Sequence, residues 1–125
     1  MAKFLSDEYF ALMQTALSQD PKWLESTKSV KTSIAFNVND AVQNYVLAVE
    51  NGVTTLTKVA AGTPAEFSFD GTYEAWSKVV KGEMDIQSAV LKGQLRFKGS
   101  ITKILMYRER FIRVAEIMRD LPKEF

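Results

Sequence analysis

The dipeptide Asn51-Gly52 lies between two stretches in which apolar and polar residues alternate, 43–50 and 53–59. Because both of its residues tolerate positive φ, the pair predicts a tight turn, and the alternation on either side predicts the two strands of a β-hairpin. A third alternating stretch, 30–38, precedes them and is followed by turn residues. We therefore expect three consecutive strands in an antiparallel meander, so the fold must contain a sheet.

Helical spacing of apolar residues marks most of the remaining chain. A stripe that follows Ser6 and runs to about residue 19 predicts a first helix, and Asp20-Pro21 predicts a new helix start, because Asp is a good N-cap and Pro suits the first helical position. The later predicted elements are a strand at 65–69, a helix capped by Asp70, a short helix capped by Asp85, a strand at 94–98 and one long helix at about 101–120. This order predicts an α+β fold.

Cysteine and histidine are both missing from the 125 residues. Their absence removes disulfides, thiol catalysis, Ser-His and Cys-His pairs and nearly all zinc sites. The formal net charge is +1, so we expect no field strong enough to recruit nucleic acid or an acidic membrane. At this length we expect one domain over 1–125, and Asp7-Glu8, where an export signal needs an apolar core, favours a cytoplasmic protein.

Candidates for catalysis are few. Five carboxylates cluster in sequence and could supply a catalytic pair: Glu66, Asp70, Glu74, Glu83 and Asp85. Asp70 and Asp85, however, stand where helices are predicted to begin, so capping explains these two. Ser68 and Lys78 could form a Ser-Lys dyad, yet nothing in the sequence around them would activate either side chain. We therefore predict that the chain is not an enzyme and uses no cofactor or metal.

Large apolar side chains favour a binding role instead. The chain has eight Phe, two Trp, four Tyr and five Met, and both faces of the predicted strand 43–50 are largely apolar. Such side chains suit an irregular apolar pocket, although a dense core would use the same residues. Two further features have two interpretations each. The first helix could pack in the core or touch a membrane, and Arg108 could meet an anionic head group at a cavity mouth or extend into solvent.

The second half of the chain contains an ordered series of residues: Phe67-Ser68-Phe69-Asp70, then Trp76 and Gly82, then Gln87-Ser88-Ala89, then Gly93-Gln94-Leu95-Arg96-Phe97-Lys98-Gly99-Ser100. This series resembles the sterol carrier protein family, the nonspecific lipid-transfer domain, and the resemblance covers roughly residues 30–117. It implies a five-stranded, mainly antiparallel sheet covered by helices, with a hydrophobic tunnel for fatty acids, acyl-CoAs, phospholipids or sterols. The long, charged last helix and a C-terminus unlike a peroxisomal address make the chain similar to a prokaryotic stand-alone member.

The resemblance places the lining of this tunnel on apolar residues from most of the predicted elements. The walls would be Phe36, Tyr45, Leu47, Trp76, Val80, Ile86, Val90, Leu95 and Phe97, and the closing residues Ile104, Leu105 and Met118, with Arg108 as the candidate at the mouth. Burial of a lipid chain is worth about 0.8 kcal/mol per methylene, so a tunnel can hold its ligand without specific polar contacts. A pocket of roughly several hundred Å³ is therefore expected.

These features predict a non-enzymatic protein that binds or transfers a lipid. The alternative is an interaction module that uses the same fold to form a homodimer, through the first or the last helix, without a lipid ligand. An enzyme would instead require two titratable groups within hydrogen-bond reach inside a cleft. The expected partners are a lipid or another apolar small molecule and no nucleic acid, while transient membrane contact and homodimer formation stay open.

Overall fold

The computed structural model of the protein describes residues 2–41 and 43–125. In chain order the elements are α1 (Asp7–Gln19), α2 (Pro21–Thr27), β1 (Lys31–Val38), β2 (Gln43–Glu50), β3 (Val53–Lys58), β4 (Phe67–Gly71), α3 (Tyr73–Val80), α4 (Ile86–Leu91), β5 (Leu95–Lys98), α5 (Ile101–Met106) and α6 (Arg108–Asp120). Within these ranges, no helix is both long enough and apolar enough to span a bilayer.

The strands form a five-stranded sheet in the order β3-β2-β1-β4-β5. All neighbouring strands are antiparallel except β1 and β4, which are parallel because the chain crosses from the β3 edge back to the far side of β1. The turn between β2 and β3 has positive φ at Asn51 (49°) and Gly52 (83°), as the dipeptide predicted. The α+β class and the mainly antiparallel sheet are therefore confirmed.

One face of the sheet is apolar across its width. The register places Phe36 opposite Tyr45 on one side and Phe69 on the other, so these three rings point to the same face. Strand β5 continues this face with Leu95 and Phe97. The opposite face carries smaller or polar residues, among them Asn37, Val46, Ala48, Ser68, Asp70 and Arg96.

The helices pack against the apolar face of the sheet. Trp76 of α3 lies with its ring centroid 5.7 Å from that of Phe36, and Phe111 of α6 lies edge-on to Phe69 at the same centroid distance. Burial of these rings joins helices and sheet in one apolar core.

Helix α1 is held in the core and does not form an exposed amphipathic helix. The ring of Phe10 stacks on Tyr45 at 4.0 Å between centroids, and the Tyr9 hydroxyl donates a hydrogen bond to the backbone carbonyl of Met118, 2.8 Å away. Tyr9, Phe10, Met13 and Leu17 are all buried. Of the two interpretations of this helix, core packing is the one that the structure bears out.

The prediction that Asp70 caps the helix after β4 is wrong. Strand β4 continues to Gly71, and the helix is capped by Thr72, whose side chain accepts a hydrogen bond from the backbone N–H of Ala75. The strand can continue because Gly71 has no Cβ, which would collide with the side chain of Leu95 on β5. The Asp70 carboxylate instead accepts a hydrogen bond from the Asn37 amide on β1, at 2.5 Å.

The single last helix predicted for 101–120 is also wrong, because it breaks at Tyr107 into α5 and α6. Tyr107 has φ −99° and ψ 13°, and its ring packs edge-on against Phe67 with 6.0 Å between centroids. No residue of α5 is buried, whereas α6 buries Phe111, Val114, Ile117 and Met118. The break lets α6 turn its apolar side to the sheet while α5 stays at the surface.

An ion pair between Asp20 and Arg113 joins the start of α2 to α6. The guanidinium donates to both carboxylate oxygens, at 2.8 and 2.5 Å, and the two side chains are 10% and 23% exposed. The same carboxylate caps α2 by accepting from the backbone N–H of Trp23. The hydrogen bond from Arg113, followed by that from Trp23, lowers the pKa of Asp20 against the opposing effect of burial.

Replacing Asp20 with asparagine is expected to lower the free energy of unfolding by about 1–2 kcal/mol at neutral pH. Asparagine keeps the cap, so the loss reports the ion pair. Because the folded state lowers the pKa of Asp20, the difference between the two proteins is fully present above the usual carboxyl pKa of about 3.9 and shrinks as pH falls through the lower folded value. Urea unfolding at several pH values measures this.

The matched control is Glu25→Gln in α2, which removes an exposed ion pair between Glu25 and Lys28. Exposed pairs contribute little, so this variant should unfold like the original protein at every pH. An Asp20→Asn deficit that persisted unchanged in acid would show that the charge of Asp20 is not its cause.

Candidate functional site

A small apolar cavity lies between the sheet and helices α3, α4 and α6. Its wall is formed by Phe36, Phe69, Trp76, Val79, Val80, Ile86, Phe111, Val114, Ala115 and Met118. All these side chains are hydrocarbon, thioether or indole, so the cavity offers dispersion contacts and almost no polar surface. Its volume is about 10 Å³, which is on the order of one water-sized sphere.

Helical spacing explains how two helices come to share this cavity. Trp76, Val79 and Val80 are three and four residues apart on α3, and the lining residues of α6 repeat the same spacing from Phe111 to Met118. Residues at these intervals lie on one side of a helix. The floor comes from the parallel pair β1–β4, whose register sets Phe36 beside Phe69.

A hydrogen bond to the sheet positions Trp76 in the wall. Its indole N–H donates a hydrogen bond to the backbone carbonyl of Asn37, 3.1 Å away, so the polar atom of a buried ring is satisfied at the sheet. The remainder of the indole is free to present its apolar surface to the cavity.

Five of the residues predicted for the tunnel meet in this wall: Phe36, Trp76, Val80, Ile86 and Met118. They come from β1, α3, α4 and α6, so the structure brings together residues up to 82 positions apart, from 36 to 118.

The other predicted residues lie outside the cavity wall. Tyr45, Leu47, Leu95 and Phe97 are on the same apolar face of the sheet, and Val90 and Ile104 are half-buried at the margin of the core. Leu105 is 68% exposed on α5. Arg108 is exposed at the start of α6. The pKa of the Asp85 carboxyl is lowered mainly by the hydrogen bond from the Ser88 backbone N–H, and the charge of Arg108 adds a smaller effect in the same direction.

Sequence reasoning missed five lining residues: Phe69, Val79, Phe111, Val114 and Ala115. Phe111 and Ala115 did belong to the apolar side expected for the last helix, and Val79 shares a helix face with Trp76. These positions were therefore visible as apolar, but only the packing of α6 over the sheet shows that they face a cavity.

None of the described residues in the cavity wall carries a side chain that titrates. The candidates for catalysis are engaged elsewhere: Asp85 caps α4, Ser68 donates to Asp70, and Lys78 pairs with Glu74. Tyr45 donates a hydrogen bond to the Asp7 carboxylate, and burial, followed by this hydrogen bond, raises the pKa of Tyr45 to about 12. This contact anchors α1 and lies outside the cavity wall.

The fold and the site together define a class of protein: an α+β sheet with one apolar face, covered by helices that enclose a hydrophobic cavity. Residues 13–111 match the model of the SCP-2 sterol transfer family, which is most of the chain, and the protein belongs to this family. Membership indicates lipid binding or transfer as the class of function, and the predicted resemblance is confirmed.

Solved structures share this fold at low sequence identity. A crystal structure of sterol carrier protein 2 is 17% identical with a TM-score of 0.83, covering 96% of this chain and all of that one. A conserved hypothetical protein of Thermus thermophilus, described as a possible sterol carrier protein, is 16% identical with a TM-score of 0.78, covering 99% of this chain and 94% of that one. No protein with a curated description matches the chain.

A third similar structure is an enzyme. The stereoselective inverting sec-alkylsulfatase of Pseudomonas sp. is 16% identical with a TM-score of 0.64, and the match covers 95% of this chain but 17% of the sulfatase. Domains of this family are generally non-enzymatic carriers. In the sulfatase, the same fold forms a minor part of a longer enzyme.

Proposed function

We propose that the protein binds one apolar ligand, a fatty acid, acyl-CoA, phospholipid or sterol-like lipid, in the cavity between the sheet and α6, without covalent chemistry. The observation that carries this proposal is the cavity wall itself, in which every side chain is apolar and none titrates. Such a wall favours a hydrocarbon ligand and gives little means to distinguish one chain length from the next.

The cavity must expand to accept a lipid. Its volume of about 10 Å³ is far below the roughly several hundred Å³ of a ligand pocket. Helix α6 is the wall that can move, because it supplies four lining residues and its first turn has no side-chain cap. Transfer of an acyl chain from water offsets this opening by about 0.8 kcal/mol per methylene.

Contacts at the middle and the end of α6 define how it would move. Arg113 is paired with Asp20 and the Met118 carbonyl accepts from Tyr9, so this part of the helix is tied to α1 and α2. Because α1 is itself stacked on the sheet through Phe10 and Tyr45, we expect α6 to pivot on these contacts and to open at its Tyr107 end. Motions of such covering elements set the rate of ligand release in many proteins.

Native mass spectrometry of the freshly purified protein tests the proposal. We expect a species heavier than the bare chain by the mass of one lipid, and a single adduct after incubation with oleate. Bare chain alone, before and after incubation, would contradict lipid binding. A dimer without lipid would favour the alternative, an interaction module. Three statements remain predictions from the sequence: that the chain forms a homodimer, that residues 1–125 act as one lipid-binding unit, and that the protein is cytoplasmic.

A further inference from the structure

Exposed apolar side chains concentrate in one segment of the chain, between residues 91 and 112. Five large hydrophobic residues are exposed there: Leu91 (79%), Ile101 (73%), Leu105 (68%), Met106 (66%) and Ile112 (46%). Single exposed apolar residues are normal on a protein surface, but a concentration of them marks an interaction site. Helix α5, with no buried residue, is the centre of this group.

The geometry of α5 separates an outer apolar side from an inner one. Ile101 and Leu105 lie one turn apart on the same side and Met106 follows directly, whereas Ile104 is half-buried against the core. Lys103 stands between the two sides and pairs with Glu66, 3.1 Å away. The outer side of α5 therefore exposes three apolar side chains to solvent, those of Ile101, Leu105 and Met106.

The same segment is strongly basic, although the whole chain carries a formal charge of only +1. Residues 91–113 contain seven Lys or Arg and one acidic residue, Glu109, which gives +6 here and −5 for the rest of the chain. Lys92 is next to exposed Leu91, Lys98 is three residues before Ile101, and Arg108 is two after Met106. Within the described residues, the ion pairs formed include none of Lys92, Arg96, Lys98 or Arg108.

We propose that the basic apolar surface formed by the outer side of α5 and by Lys98 and Arg108, which flank this helix in the chain, docks the protein on an anionic lipid bilayer. Apolar side chains next to cations are the pattern of an interfacial helix, whose aliphatic groups enter the head-group region while Lys and Arg meet anionic lipids. The expectation that no field recruits an acidic membrane holds for the average charge, but not for this surface. Docking here is independent of lipid binding in the cavity.

Two other occupants fit the surface less well. A second copy would bring Lys98 and Arg108 against the same two cations, and like charges across an interface oppose association. Nucleic acid would meet aliphatic side chains on α5, where binding of single strands uses aromatic rings on which bases stack. A bilayer matches both the charge and the aliphatic character.

Vesicle co-sedimentation with the full chain tests the proposal. We expect binding to vesicles of phosphatidylcholine with phosphatidylserine, weaker binding to phosphatidylcholine alone, and loss of binding as salt rises. The double variant Leu105→Ser, Met106→Ser should weaken binding about ten-fold or more, since both side chains leave water on docking. Lys98→Gln and Arg108→Gln should each weaken it about five-fold.

The controls use residues of similar exposure elsewhere. Val53→Ser removes an apolar side chain on β3 that is 67% exposed, and Lys22→Gln removes an exposed lysine on α2. Neither should change vesicle binding by more than about two-fold, since Val53 lies outside the surface and a single distant charge adds little at physiological salt. Equal losses in Val53→Ser and the α5 variant would overturn the proposal.

A labelling experiment removes any dependence on how the polar variants fold. Because the chain has no cysteine, Leu105→Cys and Val53→Cys each accept one environment-sensitive fluorophore at a single position. We expect a blue shift with phosphatidylserine vesicles for the label at 105 and none at 53. An unshifted label at 105 would overturn the proposal, as would a shift that appears with protein concentration alone or with single-stranded DNA alone.

Discussion

Replacing Trp76 with alanine is expected to lower the free energy of unfolding by about 3–5 kcal/mol, the usual cost of removing a large buried aromatic side chain. The indole is buried between α3 and the sheet, packs on Phe36, and satisfies the Asn37 carbonyl. Alanine would remove these contacts, leave a larger void and withdraw a hydrogen-bond donor. Denaturant unfolding followed by circular dichroism measures the change.

Two further variants separate the parts of this effect. Trp76→Phe keeps an aromatic ring and loses the donor to Asn37, so its cost should be lower than that of Trp76→Ala. Trp23→Ala removes an equally buried indole, which donates to the Thr54 hydroxyl at 2.8 Å and does not line the cavity. It should be similarly destabilising but leave affinity for a fluorescent fatty acid unchanged in the folded protein, whereas Trp76→Ala should alter that affinity. A cost below about 1 kcal/mol for Trp76→Ala would show that the indole is not packed as described.

Ala115→Trp is expected to reduce the affinity for a fluorescent fatty acid at least ten-fold while the protein remains folded. Ala115 is half-buried on α6 and lines the cavity between Phe111 and Met118, so an indole at this position would occupy the space that the acyl chain needs. Overfilling a packed core commonly costs about 1–3 kcal/mol, so we expect a measurable loss of stability in a protein that still folds.

The matched control for this variant is Ala11→Trp, an exposed alanine in the middle of α1. It adds the same side chain to the exposed side of a helix that contributes no residue to the cavity wall, so it should bind the fatty acid like the original protein. If both variants lost affinity equally, or neither did, the ligand would not occupy the space beside Ala115.

Local sequence patterns predicted the elements of this fold well and their order in the sheet less well. Asn51-Gly52 and the alternation around it defined the β2–β3 hairpin, and Ser6, Asp20 and Asp85 cap their helices as predicted. The parallel pairing of β1 with β4 depends on contacts between residues 34 and 67 onwards, which no local pattern encodes. Periodicity predicted the strands but not their order in the sheet, and the resemblance to a family implied that they form one five-stranded sheet.

The boundaries that failed are those decided by tertiary packing. Asp70 has the chemistry of an N-cap, but pairing with both β1 and β5 keeps it in a strand, so Thr72 caps the helix. The apolar spacing through 101–120 fits one helix, yet packing of Tyr107 on Phe67 divides it. The same division explains why Leu105 is exposed although it was expected to close the tunnel.

The net charge illustrates a limit of whole-chain composition. A total of +1 conceals a basic segment over 91–113, because acidic residues elsewhere compensate for it. The exposure of Ile101 and its neighbours could not be predicted either, since in an unbroken helix their side would have been assigned to the core. Charge and exposure become informative only when they are located on the same surface.

The most direct test of lipid binding in the cavity is an isotope-filtered NOE measurement on methyl-labelled protein with unlabelled oleate. Magnetisation should pass from the acyl chain to the methyl groups that line the cavity on three helices, namely Val80, Ile86, Val114 and Met118. The exposed methyl groups of Leu105 on α5 should receive none. Transfer confined to Leu105, or no transfer to the lining methyl groups at saturating oleate, would contradict the proposed site.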